Sequence, residues 1–285
     1  MEKSIIFLHL PKTAGQSVHR YLTKVFGTEN ICPVRVNNQF REYSHKQIIK
    51  YKIFSGHLDW KSLEFVNKPV FTFTILRDPL ERIVSFYLYM KNKAMRLDEE
   101  EIRLSENTGL FLASNSIPDE YFSSSKYDIR RFIDNHYDNF YSYYFATMSY
   151  TGRLKLLQKL SEEFNSQNEI NCEIVNIARR NIFKLDKIYS INNWQEKLSE
   201  DLYEFTGNET ALKYKKIRIY ANKGEKSSIT NRLEKIKSLG GTQKTFDKLY
   251  KFTELDYKLL SSLEGIDIAT LKSKQIVKEL SKCCS

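Results

Sequence analysis

The 285-residue chain has few residues that cross-link or interrupt a fold. It contains only four cysteines, five prolines and ten glycines. The cysteines form no CxxC pair and have no metal-ligand spacing with a histidine, so the sequence predicts neither a disulfide framework nor a zinc site. No internal repeat and no Pro/Gly/Ser-rich linker divides the chain. The length would fit one large α/β domain or two ordinary ones, and we expect a single domain over 1–285 with a variable insertion at about 92–151.

A long apolar run is also missing. The N-terminal stretch Ile5–Leu10 is too short for the core of a signal peptide or for a membrane span. The sequence therefore predicts no membrane span. Together with the cysteine usage, it leads us to expect a cytoplasmic protein in a reducing compartment.

Positive charge is plentiful but unevenly distributed. The net charge is +10, and residues 213–244 hold ten Lys/Arg against two Glu, a local +8. This segment is either solvated surface or a surface that attracts an anionic cofactor and acceptor. No nucleic-acid-binding motif accompanies it, so nucleic acid is not an expected partner.

The most informative segment is the N-terminal strand–turn–helix. Ile5–Leu10 is a short apolar strand, and helical spacing of apolar residues begins at Val18. Unpaired N–H groups and the helix dipole make such a junction an anion site. Lys12 adds a charge, and Thr13 and Ser17 add hydroxyl donors. The turn is therefore interpreted as a phosphate-binding loop. It is not a Walker A sequence, since Lys12 precedes the glycine, and an ordinary strand-to-helix connection remains an alternative.

A second strand–helix unit carries another set of anion-binding residues. Val70–Leu76 is β-branched and aromatic and reads as a buried strand. Asp78 is suited to cap the next helix, Leu80–Lys91, with Pro79 at its first position. Arg77 offers a bidentate fork for phosphate.

These two segments together resemble the sulfotransferases that use 3′-phosphoadenosine 5′-phosphosulfate (PAPS). PKTAGQS is similar to their 5′-phosphosulfate loop, and RDPLERIVSFY to their 3′-phosphate motif. The resemblance implies that Arg77 and Ser85 bind the 3′-phosphate. Arg82, by contrast, is expected to be solvated or paired with Asp78. The resemblance also implies that the following residues bind the 5′ end of the donor: Lys12, Thr13, Ala14, Gly15, Gln16 and Ser17.

His57 is the candidate catalytic base. It lies in FSGHLDW, after a predicted strand Lys52–Ser55. The segment resembles the position of the histidine in glycosaminoglycan 2-O- and 6-O-sulfotransferases, which implies that His57 takes the proton of the acceptor hydroxyl. The alternative is a histidine that satisfies a buried carbonyl. His9, inside the first strand, is interpreted as structural or as a supporting group.

Three later segments extend the resemblance. A basic glycine-containing loop places Lys223 where sulfotransferases cover the nucleotide. Lys184–Ile191 is predicted to be a core strand, followed by a helix Trp194–Phe205 that Asn193 would cap. Residues 244–263 resemble the closing helix of the family.

The tyrosine-rich stretch at 140–145 has two interpretations, a sugar-stacking surface or packed core, and packed core is the commoner fate of such helices. The fold class expected is α/β, with a P-loop-like central parallel sheet flanked by helices and a largely helical C-terminal half.

The function implied by the resemblance is PAPS-dependent transfer of a sulfonate group to a hydroxyl of a carbohydrate acceptor, without a metal. A P-loop kinase and a non-catalytic nucleotide- or glycan-binding protein remain alternatives. The sequence does not indicate the acceptor's identity or the oligomeric state.

Overall fold

The structure is a computed structural model and describes residues 3–66, 69–104, 107–213 and 228–263. The strands in this part of the chain are β1 Ser4–Leu8, β2 Ile53–Gly56, β3 Val70–Leu76 and β4 Lys187–Ser190. The α-helices are α1 Gly15–Phe26, α2 His45–Ile48, α3 Pro79–Ala94, α4 Glu99–Ile102, α5 Thr108–Asn115, α6 Pro118–Ser123, α7 Tyr127–His136, α8 Phe140–Thr147, α9 Arg153–Glu163, α10 Gln167–Ile182, α11 Trp194–Thr206, α12 Thr210–Lys213, α13 Ile229–Ser238, α14 Gln243–Lys251 and α15 Glu254–Ser261. Short 3₁₀ turns cover Thr28–Asn30, Asn37–Glu42 and Trp60–Leu63.

The chain contacts cluster into two compact units. Among the described residues, the first unit contains 3–77 and 179–213, and the second contains 78–178 and 228–263. The single domain with an insertion at 92–151 stays a prediction.

The first unit is built on a four-stranded parallel sheet with the order β2-β1-β3-β4. In the central pair, Phe7 lies beside Phe73 and Leu8 beside Thr74. Because all four strands run parallel, their carboxyl ends share one edge of the sheet, where α/β proteins bind ligands. The predicted fold class, a parallel sheet with flanking helices in a largely helical chain, is confirmed.

The helices α1 and α11 cover this sheet with apolar side chains. Phe7 and Phe73 stack with ring centroids 5.0 Å apart. Val18, Leu22 and Trp194 pack in the same buried cluster. Since burying each large apolar side chain contributes about 1.5–3 kcal/mol, this cluster fixes the strands whose ends carry the candidate site.

The second unit is helical, and its core is rich in aromatic side chains. Tyr87, Phe122 and Tyr137 are all buried in one cluster. The stretch at 140–145 forms most of α8 and is buried as well, so the packed-core interpretation is confirmed for these residues.

Three local predictions need correction. The strand expected at 184–191 is shorter, as β4. Asn193 stands at the N-cap of α11, but its side chain makes no capping hydrogen bond. The closing segment at 244–263 is two helices, because Asn139 pairs with the chain at the break: its N–H donates to Phe252 O (2.7 Å) and its Oδ1 accepts from Leu255 N (2.7 Å).

The Arg82 side chain is neither solvated nor paired with the Asp78 carboxylate, as the sequence had suggested it would be. Its side chain is fully buried. The guanidinium donates to the carbonyls of His136 (2.9 Å) and Tyr137 (3.4 Å) and lies over the Phe140 ring, 4.5 Å from its centroid. Arg82 therefore belongs to the core of the second unit.

Candidate active site

The loop between β1 and α1 has an unusual backbone for its sequence. Lys12 and Ala14 adopt left-handed φ angles of 68° and 64°. Each left-handed residue other than glycine costs about 1–2 kcal/mol. Turns of this kind aim successive N–H groups into a concave anion site, so the strain is consistent with a binding role.

The N-terminus of α1 is left open for an acceptor. Its N-cap is Ala14, which has no side chain able to cap, and the Ala14 carbonyl accepts only from Ser17 N and Val18 N. Within the described residues, the N–H groups of Gly15 and Gln16 make no backbone hydrogen bond. These two donors and the partial positive charge of the helix N-terminus are suited to bind an anion.

The side chains of this loop differ in their burial and in whether they are available to hydrogen-bond a ligand. The Thr13 hydroxyl is buried and donates to Leu10 O (2.8 Å), so it is not the hydroxyl donor that the sequence predicted. A contribution from Thr13 has to come through its backbone. Lys12 and Ser17 are half-buried, and Gln16 is exposed.

His57 follows β2 directly and is held by two backbone interactions. Its N–H donates to Arg35 O (2.7 Å), and it bridges to Val36. Its ring Nδ1 lies 2.9 Å from His9 O. Because a carbonyl only accepts, Nδ1 carries the proton, which leaves Nε2 of the neutral ring as the basic nitrogen.

The His9 ring connects His57 to the loop between β1 and α1. It stacks on the His57 ring with centroids 4.0 Å apart. A Cβ built on Gly15 would lie 1.6 Å from His9 Nε2, so the ring sits directly against the start of α1. Burial, followed by electrostatic repulsion between protonated His9 and the groups His57, Arg35, His19 and Lys12 in their charged forms, lowers the pKa of His9 well below its ordinary value. His9 is therefore a neutral spacer at physiological pH, in agreement with a supporting role.

We expect Gly15→Ala to damage the site, because the new methyl group would meet a His9 ring that has no room to move. Overpacking of this kind costs about 1–3 kcal/mol and would displace His57. The measurements are the urea-unfolding free energy and the transfer rate. A His9→Ala change on top of Gly15→Ala should recover part of the lost stability; a double variant as unstable as the sum of the single ones would contradict the proposed contact.

Arg77 follows β3, the strand next to β1, and is half-buried. In the second unit, Asp78 caps α3 as predicted by accepting from Glu81 N (2.9 Å), and it also accepts from the Tyr257 hydroxyl (3.0 Å). Ser85 lies on α3 and is half-buried. Lys223 lies outside the described residues.

No described group of three or more His, Cys, Asp or Glu side chains could hold a metal ion. None of the described helices combines the length and apolar character needed to cross a membrane.

Sequence reasoning missed two side chains near His9. Arg35 and His19 each influence the pKa of His9. No motif pointed to either, since Arg35 lies in the connection before β2 and His19 on a helix face.

The geometry defines a class of protein: an α/β protein with an uncapped helix N-terminus after its first strand and a histidine after the neighbouring strand. The sequence profile of the sulfotransferase family matches residues 1–261. The chain therefore belongs to this family of PAPS-dependent sulfotransferases, which includes glycosaminoglycan sulfotransferases, and it is a sulfotransferase enzyme. A comparison with curated proteins finds no match.

Proposed function

We propose that this sulfotransferase moves the sulfonate group of PAPS to a hydroxyl of a carbohydrate acceptor, with His57 as the general base and Lys12 as the cation at the leaving group. The family generally uses PAPS, and it includes enzymes that act on glycosaminoglycans. Both facts support the choice of donor and acceptor for this chain.

One observation carries the proposal. His57, the Lys12 loop and Arg77 follow the carboxyl ends of three neighbouring parallel strands, β2, β1 and β3. Three residues far apart in sequence thus reach the same edge of one sheet, which is where ligands bind in such folds.

The chemistry is an in-line displacement at sulfur. The acceptor oxygen forms a bond to sulfur while the bond from sulfur to the 5′-phosphate oxygen breaks, and 3′-phosphoadenosine 5′-phosphate leaves with the electron pair. His57 Nε2 accepts the hydroxyl proton, since Nδ1 is already protonated toward His9 O. Lys12 and the open N–H groups of α1 stabilise the charge that grows on the leaving phosphate.

In this scheme Lys12, Thr13, Ala14, Gly15, Gln16 and Ser17 bind the 5′ end of the donor. Arg77 and Ser85 bind its 3′-phosphate through a guanidinium fork and a hydroxyl. Lys223 is proposed to cover the nucleotide.

The donor is tested by thermal shift with 3′-phosphoadenosine 5′-phosphate, ADP and AMP. We expect selective stabilisation by the 3′-phosphorylated ligand, because only it engages both phosphate-binding segments. An equal response to all three nucleotides would argue against PAPS as the donor.

His57→Ala is expected to abolish measurable transfer while leaving the affinity for 3′-phosphoadenosine 5′-phosphate unchanged, because His57 acts on the acceptor proton. General-base catalysis contributes about 10²–10⁴-fold in rate. The measurement is single-turnover transfer from labelled PAPS across a pH range. Full activity of the variant at every pH would remove His57 from the mechanism.

The acceptor class is tested by the same assay with a panel of glycans, phenols and peptides. Transfer to a glycan alone supports the carbohydrate proposal. Transfer to phenols or peptides alone would contradict it, while the proposed donor and base would stand.

A further inference from the structure

Arg35 is a half-buried cation without a counterion in the part of the chain that the structure describes. Its Nε is buried and has no hydrogen-bond partner there, and burial lowers the pKa of the guanidinium. The only ionisable group that favours its charge is the Cys32 thiol, whose own pKa is raised by burial. The thiol is therefore neutral, whereas an arginine stays charged in proteins.

His19, close to Arg35, also carries a buried polar atom that lacks a partner within the described chain. Its Nδ1 is buried and has no hydrogen-bond partner among the described residues. Burial, and then the charge of Arg35, lowers the pKa of His19 to about 4. At neutral pH it is an uncharged imidazole that can donate one hydrogen bond. Two enclosed polar atoms on neighbouring segments thus lack a protein partner among the described residues, and such atoms need water or a ligand to satisfy them.

This pair lies beside the phosphate-binding loop. Arg35 O accepts from His57 N (2.7 Å), and the His57 ring stacks on His9 with centroids 4.0 Å apart. The charges of Arg35 and Lys12 also lower the pKa of His9. No carboxylate of the described chain raises the pKa of His9 or His19. Arg35 is therefore a positive charge that no carboxylate of the described residues offsets.

The backbone holds Arg35 firmly in this place. Its carbonyl accepts the N–H of His57 at 2.7 Å. A Cβ on Gly56 would lie 2.5 Å from that carbonyl, so the Arg35 segment and the end of β2 are in close contact. Arg35 is therefore fixed to the same stretch of chain that carries the proposed base.

We propose that Arg35 and His19 form an oxyanion-binding site next to the phosphate-binding loop, separate from the loop's own N–H groups. The ligand is a tetrahedral or planar oxyanion that accepts from the guanidinium, and it comes either from the sulfonate of the donor or from a carboxylate or sulfate group of the acceptor. The two sources named for the oxyanion depend on the proposed function, whereas the existence of the site does not.

The test measures binding by calorimetry to the full chain and to Arg35→Met. The probes are 3′-phosphoadenosine 5′-phosphate, PAPS, and inorganic sulfate added to the free protein and to the nucleotide-saturated protein. Arg20→Met is the matched control, because Arg20 is exposed on α1 and its loss changes the net charge equally. Arg35→Lys keeps the charge without the planar fork and should give an intermediate loss. His19→Gln should weaken binding less than Arg35→Met.

If the donor supplies the oxyanion, Arg35→Met weakens PAPS binding by roughly 10- to 100-fold, the size expected for charged hydrogen bonds, and leaves 3′-phosphoadenosine 5′-phosphate unaffected. If the acceptor supplies it, both nucleotides bind normally and only sulfate binding to the saturated protein falls by that factor. Equal loss of both nucleotides, or no loss for any probe, overturns the proposal.

Two further results distinguish loss of the proposed oxyanion site from unfolding of the variant and from failure of the proposed donor. Arg35→Met should unfold at the same temperature as the parent or higher, because it removes a buried cation that lacks a counterion. Thus weaker binding cannot be assigned to unfolding. If sulfate binding depends on Arg35 but 3′-phosphoadenosine 5′-phosphate does not bind at all, the oxyanion site stands and the proposed donor fails.

Discussion

Replacing Lys12 with alanine is expected to lower the rate of sulfonate transfer by about 10²- to 10³-fold, the usual loss when one preorganised donor to a developing negative charge is removed. Unlike His57→Ala, this change should also weaken binding of 3′-phosphoadenosine 5′-phosphate, because in the proposed site Lys12 contacts the 5′ end of both the donor and the product. Single-turnover rates and calorimetric affinities measure the two effects. Lys24→Ala is the control, since Lys24 is exposed at the other end of α1.

A second variant separates the charge of Lys12 from its backbone strain. The left-handed φ of 68° is unfavourable for lysine and alanine and favourable for glycine. Lys12→Gly should therefore be more stable than Lys12→Ala by about 1 kcal/mol in urea unfolding while it is equally inactive. If Lys12→Gly were the less stable of the two, the strained backbone would not be a property of the folded protein in solution. If either variant retained the parent's transfer rate, Lys12 would have no part in the reaction.

The second large effect is expected at Arg82. Arg82→Met leaves two carbonyls in the core without their donor and removes the cation that favours the buried carboxylate of Asp256. Removing one member of a buried charged pair typically costs about 3–5 kcal/mol. The measurement is the free energy of unfolding at pH 8. Arg131→Met, at an exposed position of α7, should change it by about 0.5 kcal/mol or less.

The free energy of unfolding lost in Arg82→Met should also depend on pH in a defined direction. Burial raises the pKa of Asp256 to about 6, although Tyr141 N, Ser142 N and the charge of Arg82 oppose the rise. The folded pKa lies above the unfolded one, so this group's contribution to stability is complete below pH ~4 and declines up to pH ~6. At pH 5 the Asp256 carboxyl is mostly neutral, so there is little negative charge for Arg82 to stabilise. The loss caused by Arg82→Met should therefore be smaller at pH 5 than at pH 8. Equal losses at both pH values would show that the two groups are not coupled.

The elements around the candidate site were predictable because local signals and tertiary packing agree there. The strand Val70–Leu76 was predicted with its observed bounds. Its β-branched and aromatic residues are bounded by a proline before the strand and by an Arg-Asp-Pro turn after it. Asp78 was correctly predicted to cap α3 for the same local reason. The loop residues from Lys12 to Ser17 were recognised from a pattern of residue types, but the left-handed angles of Lys12 and Ala14 were not. Nothing in those side chains requires such angles.

The predictions that failed concern partners distant in sequence. The break between α14 and α15 depends on Asn139, more than a hundred residues earlier. The Thr13 hydroxyl looked like a phosphate donor until its bond to Leu10 O was known. Arg82 was expected to lie on the helix surface because arginines of helices are usually solvated or paired, whereas the aromatic rings that it contacts come from α8.

The sequence by itself determined the parallel α/β framework and the resemblance to the family, because both depend on short patterns of residue types that have one favourable local structure. Only the tertiary structure decided which nitrogen of His57 is basic, where the His9 ring lies and that Arg35 lacks a counterion among the described residues. These properties arise from distances and burial between segments that a linear pattern does not encode.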